Sequence, residues 1–283
     1  MGRDPHTLGL DVSRWTLTRI AQACPWLDGY TPSGVWRVLA QLGLTWQRAR
    51  AVVHSPDPDY DAKLAAIDDC RAAARAHPDR IVTLYLDECT IERQPTLAAA
   101  YSWAGHDQPQ ARRSLRGTTL TRLVATLDPH DGRVVSRRAS RITIDQLVAF
   151  YQDLVAAYPH AERLSVVQDN WPIHTHPDLL VALEPQETAF PFYRPRSWPT
   201  DPHPRARQRW GDLHLPIQLV PLPTYASWCN PIEKLWRKLK QELVHLHRWA
   251  DDLDELRRQI DRFLEHFAAG SEDLLRYTGL VPK

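Results

Sequence analysis

Three carboxylates in this chain stand where carboxylates can do chemistry. Asp87 follows the apolar run Ile81-Val82-Thr83-Leu84-Tyr85-Leu86, and Asp169 follows Leu164-Ser165-Val166-Val167-Gln168. Short β-rich runs of this kind read as buried strands. In α/β sheets, ligands collect at the carboxyl ends of strands, so acids placed there point into a shared crevice. The third, Glu233, lies in Leu222-Pro223-Thr224-Tyr225-Ala226-Ser227-Trp228-Cys229-Asn230-Pro231-Ile232-Glu233. Asn230 reads as a helix N-cap with Pro231 at the first helical position. Two readings of Glu233 stay open at this point. Asn-x-x-Glu matches a capping box, in which Glu233 bonds back to the backbone N–H of Asn230; alternatively the carboxylate reaches the crevice. Hard carboxylate oxygens favour Mg²⁺ or Mn²⁺ over zinc. Glu88 adjoins Asp87 and is an alternative ligand, but neighbours on a strand point to opposite faces, so Asp87 is preferred.

The elements that must hold these acids follow from periodicity and punctuation. Residues 13–24 predict a short helix capped by Ser13, with Leu17, Ile20 and Ala21 on one face. After Pro25 and Gly29, Thr31 caps a second helix with Pro32 first, a stripe of Val35, Leu39 and Leu42, and Gly43 as its stop. This pair matches a helix-turn-helix, with Ser33, Arg37 and Gln41 on the outer face of its second helix. Leu44 to Val53, with Arg48 and Arg50 among apolar residues, reads as a wing or extended arm. Ser55-Pro56-Asp57-Pro58-Asp59 is a breaker cluster and marks a boundary. A helix over 60–77 follows. Strands at 119–127 and 133–136 flank the turn Asp128-Pro129-His130-Asp131-Gly132. Thr143 caps a helix over 144–157 with Leu147, Phe150, Tyr151 and Leu154 inward. A last strand covers 217–220, and two helices, 231–247 and 252–268, end the chain. Nine of the 23 prolines fall between 185 and 223, so 184–215 reads as a Pro/Arg-rich insertion of limited regular structure. The order implies an α/β fold: a mixed sheet flanked by helices, preceded by a small all-α domain.

Composition narrows the class. With 283 residues, 43% hydrophobic and 24% charged, wholesale disorder is excluded and about two domains are expected. No stretch approaches the roughly 18 apolar residues of a membrane span, and no apolar segment follows a basic start. The expected place is therefore the cytoplasm, or the nucleoid of a prokaryote. Cys24, Cys70, Cys89 and Cys229 lie far apart, which excludes a disulfide framework and a zinc knuckle. Thirty-five basic against 34 acidic residues leave no global field. Locally, residues 112–141 hold eight Arg against two acids, and 194–209 hold five Arg against one. These are candidate surfaces for a phosphate backbone, or solvated loops.

Certain blocks occur in a telling order: Asp87-Glu88; Trp103-Ala104-Gly105 and Pro109; Asp169-Asn170 with His174; Pro223-x-Tyr225; and Asn230-Pro231-Ile232-Glu233-x-x-Trp236-x-x-Leu239-Lys240. Together they resemble a DDE transposase of the mariner-like superfamily, in its bacterial insertion-sequence branch (the IS-six-thirty family), from about residue 10 to 250. The resemblance implies a helix-turn-helix, winged-helix-like domain over 1–55, a linker helix over 56–80, and a ribonuclease-H-like catalytic domain over 81–283. It implies Asp87, Asp169 and Glu233 as catalytic residues and ligands of two Mg²⁺ or Mn²⁺ ions, which would drive in-line phosphodiester displacement. Hydrolysis at element ends and strand transfer into target DNA would follow, on double-stranded terminal inverted repeats and commonly TA targets, by a homodimer in the DNA complex. Arg37, Gln41, Arg48, Arg50, Arg112 and Arg113 are the expected DNA contacts, with Asn170, His174, Asn230 and Trp236 in support. Trp103 and Trp236 read as core, with stacking on a flipped or unpaired base as the alternative. His174 reads as packing or as a neighbour of the metal. His245 and His247, two apart on a helix, do not make a metal pair.

Two departures carry expectations of their own. Sixty-four positions separate Asp169 from Glu233, more than the family's usual spacing, and an insertion at 184–215 accounts for the excess without moving the acids. The chain begins almost at the helix-turn-helix, where many relatives carry another helical unit, so a shortened copy is expected. The rival functions are a catalytically silent DNA-binding remnant and an endonuclease without transposition.

Overall fold

The computed structural model describes residues 4–47, 54–105, 107–186, 190–192 and 194–282. The chain divides into two compact units, Met1–Val53 and His54–Lys283. In the first, helix α1 (Leu17–Ala23) is capped by Thr16, whose Oγ1 accepts the Arg19 N–H at 3.3 Å. Ser13, the expected cap, lies before the helix, because the apolar face begins only at Leu17. Helix α2 (Pro32–Gln41) starts as expected, Thr31 Oγ1 accepting the Gly34 N–H at 3.2 Å. The pair closes on a small core of Ile20, Leu27 and Val35, with Trp15, Val38 and Leu39 packed on it. Leu42 was expected in that stripe and is exposed, since α2 ends one residue earlier and leaves it as the cap. Arg48 and Arg50, and with them most of the expected wing, lie outside the described residues.

The second unit is built on a five-stranded sheet in the order β3-β2-β1-β4-β5, with β1 (Ile81–Glu92), β2 (Leu120–Leu127), β3 (Val134–Ala139), β4 (Arg163–Gln168) and β5 (Ile217–Pro221). β2 runs antiparallel to β1 and β3, whereas β4 and β5 run parallel to β1. β1 is twice the length its apolar run suggested, because its two neighbours pair with different stretches of it. β4 pairs with Ile81 to Tyr85, and β2 pairs with Tyr85 to Glu92. Asp87 therefore sits within β1, just past the end of the β4 pairing.

Side chains alternate across this sheet and separate two apolar layers. On one side Tyr85, Cys89 and Ile91 pack with α7 (Ile232–Leu239), α8 (Leu253–Glu265) and Ile67 of α3 (Tyr60–Ala76). On the other, Val82, Leu84 and Leu86 pack with α4 (Ile144–Ala157), α5 (Pro177–Leu180) and α6 (Pro204–Trp210). Thr143 caps α4 as expected, its Oγ1 accepting from the Gln146 N–H. The helix expected over 231–247 runs regularly only to Leu239, then widens into a π-turn at Lys240–Val244. There His245 Nδ1 lies 2.6 Å from Thr96 Oγ1, and Leu246 donates its N–H to Thr96 O. The final helix, α9 (Glu272–Thr278), was not anticipated; Ser271 caps it and Leu274 and Leu275 are buried. The turn at 128–132 seats on its start, where a Cβ on Gly132 would fall 2.3 Å from Ser271 O.

The 184–215 stretch is a closed excursion. Leu183 and Leu215 form a bridge, Glu184 donates its N–H to Leu215 O, and Leu215 donates to Ala182 O. It carries more regular structure than its prolines suggested: α6 lies within it and buries Ala206 and Trp210. Among the described residues no helix is long and apolar enough to cross a membrane.

Candidate active site

Strand register brings the first two acids together. Tyr85 pairs with Val167 across the parallel β1–β4 ladder, so two residues further on Asp87, still within β1, and Asp169, just past the end of β4, stand at the same level. Asp169 Oδ1 accepts the Trp171 N–H at 2.9 Å, an Asx turn that bends the chain away from the strand end. Asn170 Nδ2 donates to Leu222 O at 2.8 Å, tying that bend to the segment after β5.

Glu233 arrives through Asn230. The capping box does not form: the Asn230 N–H donates to Ser227 O, and α7 has no side-chain cap. Asn230 instead turns its amide inward, where Nδ2 donates at 3.0 Å to Leu86 O, the residue before Asp87. The start of α7 is thus fastened to β1 beside the acids. Three positions along the same helix, Trp236 Nε1 donates to Asp87 Oδ2 at 2.9 Å. Glu233 opens onto a cleft lined by Trp228, Asn230, Trp236, Arg237 and Lys240.

The loop before α7 is held from the other end of the unit. Asp57, 2% exposed at its side chain, bonds Lys63 Nζ at 2.7 Å, and its Oδ2 accepts the Thr224 N–H at 2.7 Å. Ser55 Oγ donates to Thr224 O. The breaker cluster seen in the sequence is therefore a staple on the approach to Glu233.

Electrostatics mark the same place. Burial, then the charges of Glu233 and Glu88, push the Asp87 carboxyl up to about 7. Desolvation also raises Glu233, with Asp169 adding to the rise and Lys240 and Arg237 opposing it. Oxygen donors so crowded by like charge are what a divalent cation relieves, and their hardness suits Mg²⁺ or Mn²⁺.

Glu88, set aside by strand alternation, does face the α4 side, yet it belongs to the site. Its Oε1 lies 3.3 Å from Nε2 of His174, which is fully buried, and the same nitrogen is 3.6 Å from Asp169 Oδ1. His174 sits in the turn Pro172–Thr175 with Trp171 edge-on against its ring. Burial opposes its protonation, but the surrounding carboxylates of Glu88, Asp169 and Asp87 outweigh that and raise its pKa. The sequence signal for this pair was the adjacent Asp-Glu together with a His shortly after the second acid.

The sequence matches the family described as DDE superfamily endonuclease over residues 82–257. The chain belongs to that family. Among relatives of this DDE enzyme is the 39 kDa protein of insertion element IS630 from Shigella sonnei, 24% identical over 268 residues, covering 92% of this chain and 67% of that protein. Among solved structures, the Mos1 transposase paired-end complex with the left transposon end aligns at TM-score 0.59 and 16% identity, over 99% of this chain and 76% of that one. The Mos1 mariner paired-end complex with Mn aligns at TM-score 0.56 and 17% identity, over 98% and 74%. The resemblance carried by the motif blocks holds, and the sheet is ribonuclease-H-like.

The other residues anticipated for the DDE enzyme are scattered. Trp236 is buried as expected, but Trp103 is 81% exposed, on an extended segment between β1 and β2 that also carries Arg112 and Arg113. That segment has no apolar periodicity to fold it back, so Trp103 is not core. Arg37 and Gln41 are exposed on α2 in the first unit.

Proposed function

We propose that this DDE enzyme is a DNA transposase, with Asp87, Asp169 and Glu233 as its catalytic acids. The observation that carries this is the level placement of Asp87 and Asp169 on adjacent strands, with the start of α7 tied to Leu86 by Asn230. The three carboxylates would hold Mg²⁺ or Mn²⁺, two ions per site. Such ions supply a nucleophile at neutral pH and stabilise the leaving oxygen of a phosphodiester displacement.

The chain's own residues do the positioning. Trp236 fixes one oxygen of Asp87, and the Trp171 N–H fixes one oxygen of Asp169. Asn230 holds Glu233 at the cleft mouth, where Arg237 and Lys240 offer charge to a phosphate backbone. Arg112 and Arg113 would follow DNA along the exposed segment, and Arg37, Gln41, Arg48 and Arg50 would read terminal inverted repeats. The protein would act on target DNA at the nucleoid in the cytoplasm, as a homodimer on DNA.

The test is nicking of a duplex carrying the element's terminal inverted repeats, with Mg²⁺ present. Cleavage by the intact chain, abolished singly by Asp87→Asn, Asp169→Asn and Glu233→Gln, supports the proposal. Binding without cleavage overturns it in favour of a silent DNA-binding remnant. Cleavage with no strand transfer into a target plasmid leaves an endonuclease alone.

A further inference from the structure

Beside the three proposed acids lies a second donor set that they do not use. The ligand-capable atoms of Glu88, Asp169 and His174 all fall within 4.8 Å of one another. His174 is fully buried; its Nδ1 has no hydrogen-bond partner, and its Nε2 meets buried Glu88 Oε1 only in a long 3.3 Å ion-pair contact. Buried polar atoms left this way are rare and ask for a ligand.

The distances decide what kind. A charge-assisted N–H···O bond would close to about 2.7–2.9 Å and align. Here Nε2 stands 3.3 Å from Glu88 Oε1 and 3.6 Å from Asp169 Oδ1, without the alignment a hydrogen bond needs. Two donors each about 2.1 Å from a common ion, at octahedral to tetrahedral angles, lie roughly 3.0–3.4 Å apart. The 3.3 Å separation falls in that range and 3.6 Å lies just beyond it, so small side-chain shifts would bring the three donors around one ion. Asp169 is exposed, so an ion has a way in from solvent on that side.

We infer that Glu88, Asp169 and His174 form a divalent-cation site of mixed nitrogen and oxygen donors, adjoining the acid triad through Asp169. An imidazole ligand favours borderline ions such as Mn²⁺ or Co²⁺ over Mg²⁺, which prefers oxygen. The site accounts for Glu88 lying beside the acids although its strand position points it to the other layer. It builds on the transposase reading only through Asp169.

Pulsed EPR of the full chain with added Mn²⁺ tests this directly. The wild type should show ¹⁴N modulation of the Mn²⁺ echo, lost in His174→Gln and kept in Glu233→Gln. By titration, His174→Gln and the near-isosteric Glu88→Gln should each weaken Mn²⁺ binding by about tenfold or more, with Mg²⁺ affinity nearly unchanged after His174→Gln. Loss of modulation in a His174→Gln protein whose melting curve is native-like supports the site. A wild type that nicks DNA yet shows no nitrogen modulation overturns the inference and leaves the transposase reading standing. Modulation that survives His174→Gln also overturns it, since another histidine is then the ligand. Nitrogen modulation in a protein whose nicking is unaffected by Glu233→Gln upholds the inference and refutes the proposed triad.

Discussion

On the α7 side of the sheet, Asp87 receives an indole N–H from Trp236 and faces Glu233; on the α4 side, its neighbour Glu88 faces a buried imidazole. Two adjacent acids on one strand thus meet opposite company. The first side gathers oxygens and is held by hydrogen bonds from α7. The second pairs an oxygen with a nitrogen at 3.3 Å, a long contact rather than a short charge-assisted hydrogen bond. The difference shows how a β-strand can serve two cation environments at one level, because alternation sends consecutive side chains to different layers while the backbone keeps them within a few ångströms.

The sharpest way to break this comparison is Asp87→Asn. If the α7 side carries the chemistry, nicking should fall by more than about 100-fold, beyond what loss of a residue behind a metal ligand costs. Stability comes next in size. Removing Asp57 as Asp57→Ala leaves Lys63 buried without its partner and releases the Thr224 loop, which should cost about 3–5 kcal/mol in urea unfolding. Trp236→Phe keeps the ring packing but removes the N–H to Asp87; nicking should drop by about 10–100-fold, with metal affinity weakened in step.

The pH dependence separates Asp87 from Asp57 by sign. Asp87 titrates near 7 in the fold and near 3.8 in the unfolded chain, so the native state binds the extra proton between those values. Its contribution to stability without metal is full below about pH 4 and is lost as pH rises towards 7. Asp87→Asn should flatten that decline in urea midpoints taken at pH 5 and pH 8. Asp57 behaves oppositely: burial works against its charge, but Lys63 and the N–H groups of Thr224 and Asp59 hold its carboxyl well below the ordinary range. Its stabilisation is present above about pH 4 and disappears as the solution is acidified. The smallest expected effect is Asn230→Ala, which leaves Leu86 O without its amide partner and should cost about 1–3 kcal/mol.

Much of this arrangement was legible in the residues. Asp169 at the end of β4, the Thr31 and Thr143 caps and the turn at 128–132 each rest on local chemistry that survived folding, whereas Asp87 does not end its strand. What escaped was set at long range. β1 runs past its apolar segment because β2 supplies hydrogen bonds that no local pattern announces. Asn230 looked like a cap because its spacing to Glu233 fits one, yet a carbonyl 144 positions away offered its amide a better partner. Alternation ranks Glu88 behind Asp87 and correctly gives its layer, but says nothing of His174 waiting there. The π-turn after Leu239 follows from the bridge to Thr96, equally invisible in sequence.

The neck joining Leu183 to Leu215 has one more consequence. A length of chain that departs and rejoins at a single point transmits no change of its contour to what flanks it, however many residues it gains. Beyond the neck the excursion is tied down at several points: Ala206 and Trp210 are set in the α4 layer, Arg209 pairs with Asp145, and His203 donates its N–H to Asp178 Oδ1. Variation in the length of the excursion can alter what the molecule touches while the neck between Leu183 and Leu215 stays closed.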